Sequence, residues 1–286
     1  MKSKDFSFWL FLSPAMIGLG LVVLIPLLYG FYYSFTDWDG VNQTEFIGMR
    51  NYINILSDQD FLYSLWFTFK FSIVSVIVIN VMGLGLAMLV TSYIKSKNIL
   101  RTIFFMPNLI GGLILGFIWQ FVFTKVFDAV GRMTGIGWLQ GWLSDTQTGF
   151  WGMVILMSWQ MAGYIMIIYI AYLENVPKDL LEAAEIDGAN AIQRFRNITF
   201  PLVAPAFTVS LFLTLSNAFK IYDQNLSLTN GGPFNSTTMV SMDIVDTAFK
   251  MNQMASAQAK AVIFFMIVAI ISLTQVYINK KREVEM

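Results

Sequence analysis

The sequence predicts an all-α, polytopic membrane protein with six transmembrane helices, and three observations predict it. Of 286 residues, 56% are apolar and 13% are charged, about half the charged share of an ordinary soluble domain. Six apolar stretches come close to or exceed the roughly 20 residues that a helix needs to cross the hydrocarbon core. Lys and Arg fall unevenly on the segments between them, the asymmetry that orients membrane chains.

The first stretch, from about Phe8 to Phe35, follows two lysines and starts like a signal peptide. It continues past Tyr33 without a small-residue cleavage site and so reads as a retained anchor. The second covers roughly Leu62 to Ile94, the third Ile103 to Phe123, and the fourth Trp151 to Leu173. The fifth covers Leu202 to Ile221 and the sixth Ala261 to Ile278. With the N-terminus inside, the inner segments hold eleven basic residues: Lys2, Lys4, Lys95, Lys97, Arg101, Lys178, Arg194, Arg196, Lys280, Lys281 and Arg282. The outer segments hold six: Arg50, Lys125, Arg132, Lys220, Lys250 and Lys260. The bias places both termini in the cytoplasm, and an even number of spans agrees. Lys70, within the second span, reads as snorkelling outward or pairing with a carboxylate. Gly83, Gly85, Gly111, Gly112 and Gly116 read as sites of close helix packing.

Composition excludes several functions. Lys+Arg and Asp+Glu are 18 each, so the net charge is zero, whereas a nucleic-acid binder carries a basic excess. With no Cys and no His there are no disulfides, no Cys/His metal sites, and no Ser-His-Asp or Cys-His catalysis. A six-span membrane enzyme needs His, Cys or paired carboxylates in its spans, and the spans as drawn contain none. No Gly-x-x-x-x-Gly-Lys-Ser/Thr phosphate loop is present, so any ATPase is a separate chain.

The segment between the fourth and fifth stretches is the most informative. It reads Pro177-Lys-Asp-Leu-Leu-Glu-Ala-Ala-Glu-Ile-Asp-Gly188. Asp179 with Glu182 has capping-box spacing, good helix formers follow, and Gly188 is placed to end the helix in the left-handed conformation. A second box, Asn190 with Gln193, opens another short helix that stops before Pro201. A short knob with a small face at Ala183 and Ala184 suits insertion into a partner's groove. On spacing alone, it fits equally well as an interfacial helix packed on its own bundle.

A solute pathway needs polar groups that are costly against lipid. The fourth span supplies Trp159, Gln160 and Tyr164, the last two sharing a helix face. The fifth supplies Thr214 and Asn217, also on one face. An aromatic plate with amide and hydroxyl partners suits a sugar ring. The alternative for each is hydrogen bonding between packed helices. Two long outer segments, Asp37 to Asp60 and Tyr222 to about Gln258, are long enough to touch an extracytoplasmic protein. The second holds the turn signal Thr229-Asn230-Gly231-Gly232-Pro233.

Glu182-Ala183-Ala184-x-x-Asp187-Gly188-Ala189, with Phe195, Ile198, Pro201 and Pro205, resembles the EAA loop of ABC importer permeases. Ser13-Pro14-Ala15, Pro26, Ser34-Phe35, Phe46-Ile47-Gly48-x-x-Asn51-Tyr52, Arg101-x-x-Phe104-Phe105-x-Pro107, Trp119 and Leu228 to Pro233 resemble the first permease of maltose- and multiple-sugar-type systems. The resemblance spans nearly the whole chain. It implies one transmembrane permease domain over 1–286 with the type I ABC importer fold and a coupling loop at about 174–201. The helix 180–188 is then expected to seat in a cleft of an ATPase, with coupling assigned to Glu182, Ala183, Ala184, Asp187 and Gly188. The implied partners are a second permease forming a heterodimer, two ATPase subunits or a homodimeric ATPase, and an extracytoplasmic sugar-binding protein. ATP and Mg are expected on the ATPase and no cofactor on this chain, in a prokaryotic cell membrane. Sugar contacts are expected on the fourth and fifth spans. A permease of the same superfamily for a polyamine or phosphate is the alternative; the Gly-Gly-Pro loop and the aromatic first span favour sugar.

Overall fold

The computed structural model describes residues 2–42, 44–92 and 96–281. Lys95, Arg282 and the expected end of the second span at Ile94 lie outside the described residues, as do the side chains of Lys2 and Lys4. α1 (Lys2–Leu19) passes through a π turn into α2 (Ile25–Tyr33). α3 (Arg50–Leu56) is short and precedes α4 (Gln59–Thr91). α5 (Lys97–Phe105) is followed by α6 (Gly112–Phe121), which passes through a second π turn into α7 (Phe127–Thr134). α8 (Thr146–Leu173), α9 (Lys178–Ile186) and α10 (Ala191–Arg194) come next, and a third π turn joins α10 to α11 (Phe200–Phe219). α12 (Asp223–Leu228), α13 (Val240–Phe249) and α14 (Met254–Lys280) follow. Among the described residues, six rods are long and apolar enough to span a bilayer: Phe8–Tyr33, Gln59–Thr91, Gly112–Thr134, Thr146–Leu173, Ala191–Phe219 and Met254–Lys280.

Two spans differ from expectation. The third does not start at Ile103. The chain leaves α5 through a 3₁₀ turn at Met106–Leu109, extends at Ile110 and Gly111, and only then begins the membrane rod. Pro107 removes a helical donor, and two adjacent glycines have low helix propensity. The fifth does not start at Leu202, because the short helix opened at Asn190 does not stop before Pro201 but runs on into it. The i→i+5 bonds of Phe195–Thr199 deliver Pro201 to the first turn of the next α segment, where its missing N–H costs nothing. The second short helix is therefore the cytosolic tip of a 29-residue rod, about 43 Å long.

The start of α8 is well fixed. Asp145 accepts from the N–H groups of Gln147 at 2.8 Å and Thr148 at 3.0 Å. The Thr148 N–H is the main reason its carboxyl titrates below the usual range.

By packing, the chain forms two compact units, Met1–Leu62 with Asp243–Met266, and Tyr63–Met242 with Ile267–Met286. In the first unit, Asn51 donates to the carbonyls of Ser34 at 2.9 Å and Thr36 at 2.8 Å, and the Tyr52 hydroxyl meets Ser34 Oγ at 2.6 Å. The Phe46 to Tyr52 motif is thus a clasp on the end of the first span. Lys260 Nζ, on a side chain 4% exposed, binds Asp243 and Asp58, each at 2.9 Å, and Thr247 Oγ1 at 3.0 Å. Burial raises the Asp243 carboxyl above the ordinary range against the pull of the lysine. Burial also acts to raise Asp58, but the Lys260 ammonium and the N–H groups of Phe61 and Asp60 outweigh it and hold that carboxyl low. None of the first span's most apolar stretch is buried, so lipid or another chain covers it. The second unit is built on α8, where 67% of the corresponding stretch is buried. Met153, Leu156, Ile165, Met166 and Tyr169 of α8 pack with Phe71 and Ile79 of α4, Leu115 of α6 and Ala206 of α11.

Candidate functional site

The loop between α8 and α11 is a self-contained elbow. α9 is nine residues long, or about 13 Å. Its N-cap is Pro177, with no side-chain cap, so the box expected at Asp179 and Glu182 does not form. Proline at that position starts the helix early, and Asp179 falls inside the first turn, where it favours only the helix dipole. The C-terminus is as expected. Gly188 has φ +83°, its N–H donates to Glu185 O at 3.0 Å, and the Ala189 N–H donates to Ala184 O at 2.9 Å. These two bonds are a Schellman closure. The second box forms: Gln193 N donates to Asn190 Oδ1 at 3.0 Å, and Asn190 N donates to Gln193 Oε1 at 2.8 Å. Arg194 reaches back across the turn to Glu185 at 2.7 Å.

Glu182, Ala183, Asp187 and Gly188 are exposed, and Ala184 is half-buried. Leu180 at 48%, Ile186 at 87% and Ile192 at 77% exposure surround them. Leu181, partly buried, is the α9 side chain packed on the bundle core. The elbow thus presents an exposed apolar surface of the kind that marks interaction sites.

A cavity of about 450 Å³ opens between α8, α11, α12 and the break before α6. Gln160, Tyr164 and Asn217, all singled out from the sequence, line it together with Asn108, Lys220 and Gln224. Gln224 Nε2 donates to Gln160 Oε1 at 3.0 Å, and Gln160 Nε2 donates to Ile110 O at 3.2 Å. The broken backbone thereby orients the central amide. The set holds four amides, a phenol and an ammonium, with no carboxylate. Neutral hydroxyl-rich solutes fit that inventory, and cations do not.

Two of the residues singled out with them, Thr214 and Trp159, do not line this cavity. Thr214 is fully buried; it donates to Ser210 O at 2.7 Å and accepts from Asn80 at 3.1 Å. Tyr169 donates to the same Asn80 at 2.9 Å, so Thr214 belongs to a packing network. Trp159 does not line the cavity; it lies edge-on to Trp119 at 5.7 Å and is 41% exposed. Sequence reasoning missed Asn108 and Gln224. The signal for Asn108 was its position beside Pro107, where a helix break exposes side chains.

Lys70 makes no ion pair among the described residues; its ammonium lies 4.8 Å from the centre of the Phe150 ring. Of the five glycines expected at close approaches, Gly83, Gly112 and Gly116 are tightly packed, whereas Gly85 and Gly111 face open space.

The segment after α12 is held rigidly. Asn225 donates to Thr237 O at 2.9 Å and Thr229 Oγ1 at 3.1 Å, and Thr237 Oγ1 donates to Gly232 O at 2.7 Å. At its tip Phe234, with φ +52°, is completely exposed.

Residues 79–284 match the family model described as "Binding-protein-dependent transport system inner membrane component". The chain is 59% identical to the "Probable starch degradation products transport system permease protein AmyD" of Thermoanaerobacterium thermosulfurigenes, over 100% of this chain and 99% of that one. It is 32% identical to the "Multiple sugar-binding transport system permease protein MsmF" of Streptococcus mutans, over 96% of each. A chain from the crystal structure of a bacterial ABC transporter that imports the acidic polysaccharide alginate superposes with a TM-score of 0.84 at 19% identity, covering 98% of this chain and 96% of that one. The same transporter in complex with its alginate pentasaccharide-bound periplasmic protein gives 0.82 at 18% identity, with the same coverage.

Proposed function

Because the chain belongs to the family of binding-protein-dependent transport system inner membrane components, we propose that it forms half of the pathway of an ATP-driven importer for oligosaccharides released from starch. The carrying observation is the cavity, with its four amides, Tyr164 and Lys220 and no carboxylate. Amides and the ammonium engage sugar hydroxyls, and the phenol ring offers a face to sugar C–H groups. A polyamine finds no counter-charge there. The relation to AmyD supports the starch-derived class.

The second permease completes the pathway and covers the unburied first span. The ATPase, a homodimer or two subunits that bind ATP and Mg, receives α9 in a cleft. Glu182, Ala183, Ala184, Asp187 and Gly188 form the contact, with Leu180 and Ile186 adding apolar surface. ATP-driven closure of the ATPase pulls the elbow and rocks α8 and the 191–219 rod, opening and closing the cavity. Both termini lie in the cytoplasm, and the rigid segment carrying Phe234 faces the extracytoplasmic sugar-binding protein.

The test is uptake of labelled maltotriose by the assembled transporter in proteoliposomes. Gln160→Ala with Asn217→Ala lowers uptake at least tenfold while ATPase, permeases and binding protein still assemble. Unchanged uptake kinetics reject the pathway; a wild-type complex that carries no saccharide rejects the substrate class.

A further inference from the structure

Arg101 of α5 and Glu174, 73 residues apart, form an ion pair at the root of the elbow, with Arg101 Nη2 donating to Glu174 Oε1. Glu174 is the C-cap of α8, and Pro177, the N-cap of α9, follows close behind it. The two side chains are 26% and 50% exposed, and Arg101 Nε is buried with no acceptor among the described residues. A partly exposed pair held by one prong adds little stability; its effect is on position. The stretch from α5 to the helix break is fastened to α8 at two further points. Gly163 of α8 lies so close to the Phe104 carbonyl that no side chain fits between them. Gln160 Nε2 donates to Ile110 O at 3.2 Å. Glu174, Gly163 and Gln160 cover about 21 Å of α8, and Arg101, Phe104 and Ile110 meet them in turn. The rod after the break has a different neighbour: Gly112 and Gly116 of α6 are pressed onto Asp223, Gln224 and Ser227 of α12. Between the two attachments stands Gly111, extended at φ −61° and ψ 144° and facing open space.

We propose that Arg101 is a positioning residue of the transport cycle: by holding Glu174 it straps α5 and the break to α8, so that a pull on the elbow reaches the cavity. Asn108, in the break, and Gln160 both line that cavity. Gln160 is bonded to Ile110 on one side and to Gln224 of α12 on the other. It therefore stands where the stretch that follows α8 meets the part fastened to α12. Displacing the first against the second parts Gln160 from Gln224 and frees its carbonyl for solute, with Gly111 as the joint. A contiguous chain of packed and hydrogen-bonded groups thus runs from the elbow to the cavity. The inference rests on the coupling proposed for the elbow and adds the route by which it arrives.

The experiment measures labelled maltotriose taken up and ATP hydrolysed in the same proteoliposomes, with the full transporter and saturating binding protein. Arg101→Gln and Glu174→Gln each remove one charge of the pair. Each is expected to lower the sugar moved per ATP about fivefold, the low end of coupling between sites, while ATP hydrolysis continues. Arg101→Lys keeps a cation opposite Glu174, and Arg101→Glu with Glu174→Arg re-forms the pair in reverse; at least one of the two is expected to restore most of the ratio. Single variants with a wild-type ratio overturn the strap. So does a single variant that no longer assembles, or a loss that neither rescue repairs, since a merely structural role gives those results. Glu182→Lys, on the elbow itself, is the control. If it too leaves the ratio at the wild-type value, the coupling reading fails and the strap with it. If it lowers the ratio and Arg101→Gln does not, the strap alone fails.

Discussion

Replacing Lys260 with Met tests the buried ion cluster. Methionine keeps the volume and removes the cation shared by Asp58 and Asp243. The Asp243 side chain is 9% exposed, so it cannot turn to water and takes up a proton instead. In the unfolded chain an aspartate titrates near 3.9. Keeping Asp243 protonated therefore costs about 1.4 kcal/mol for each pH unit above that. At pH 7 the penalty is about 4 kcal/mol, in line with the ~3–5 kcal/mol for breaking a buried pair. At pH 5 it is about 1.5 kcal/mol. The sign follows from a folded-state pKa raised above the unfolded one: the variant recovers stability as pH falls. Lys260→Met with Asp243→Leu removes both partners and regains most of the loss, because Asp58 is 32% exposed and can be hydrated. Equilibrium unfolding by SDS in mixed micelles, followed by tryptophan fluorescence at both pH values, measures this. A penalty below about 1 kcal/mol at pH 7, or one equal at pH 5 and pH 7, refutes the reasoning.

Gly188→Ala forces a side chain into the left-handed region, a local strain of about 1 kcal/mol, and should cut uptake per ATP hydrolysed several-fold. Gly188→Asn, which tolerates that conformation, should retain most coupling; proteoliposome uptake checks both. Asn190→Ala removes one arm of a formed capping box, worth about 1 kcal/mol, and should speed amide exchange over 190–194 about fivefold. Gly163→Ala drives a methyl group into the backbone carbonyl of Phe104 and should cost about 3 kcal/mol. Gly85→Ala, which faces open space, should cost nothing; SDS unfolding separates the two. Phe234→Ala should weaken the permease's affinity for its binding protein about 30-fold, as for an aromatic anchor, without altering stability.

Six spans were legible because each apolar stretch comes close to or exceeds the length that lipid demands, whatever packs around it. That Gln160, Tyr164 and Asn217 share one cavity was legible by residue type and spacing. Trp159 does not line it because a neighbour in sequence lies about 100° round the helix. Thr214 does not line it because Asn80, more than a hundred residues away, holds its hydroxyl; no local pattern announces such a partner. The capping box at Asn190 was readable and the one at Asp179 was not, since Pro177 pre-empts the start of the helix. The rod through Pro201 was missed because a π turn is a local re-registration of hydrogen bonds that side-chain types do not encode.

The elbow at residues 178–194 carries its own fastenings: the Schellman closure, the Asn190–Gln193 box and the Arg194–Glu185 strut. It leans on the rest of the molecule chiefly through Leu181. Such a piece is portable. On the coupling role proposed for it, grafting it between related permeases as one cassette, with Glu185 and Arg194 travelling together, would redirect a chimera to a different motor without redesigning the machinery that selects its cargo.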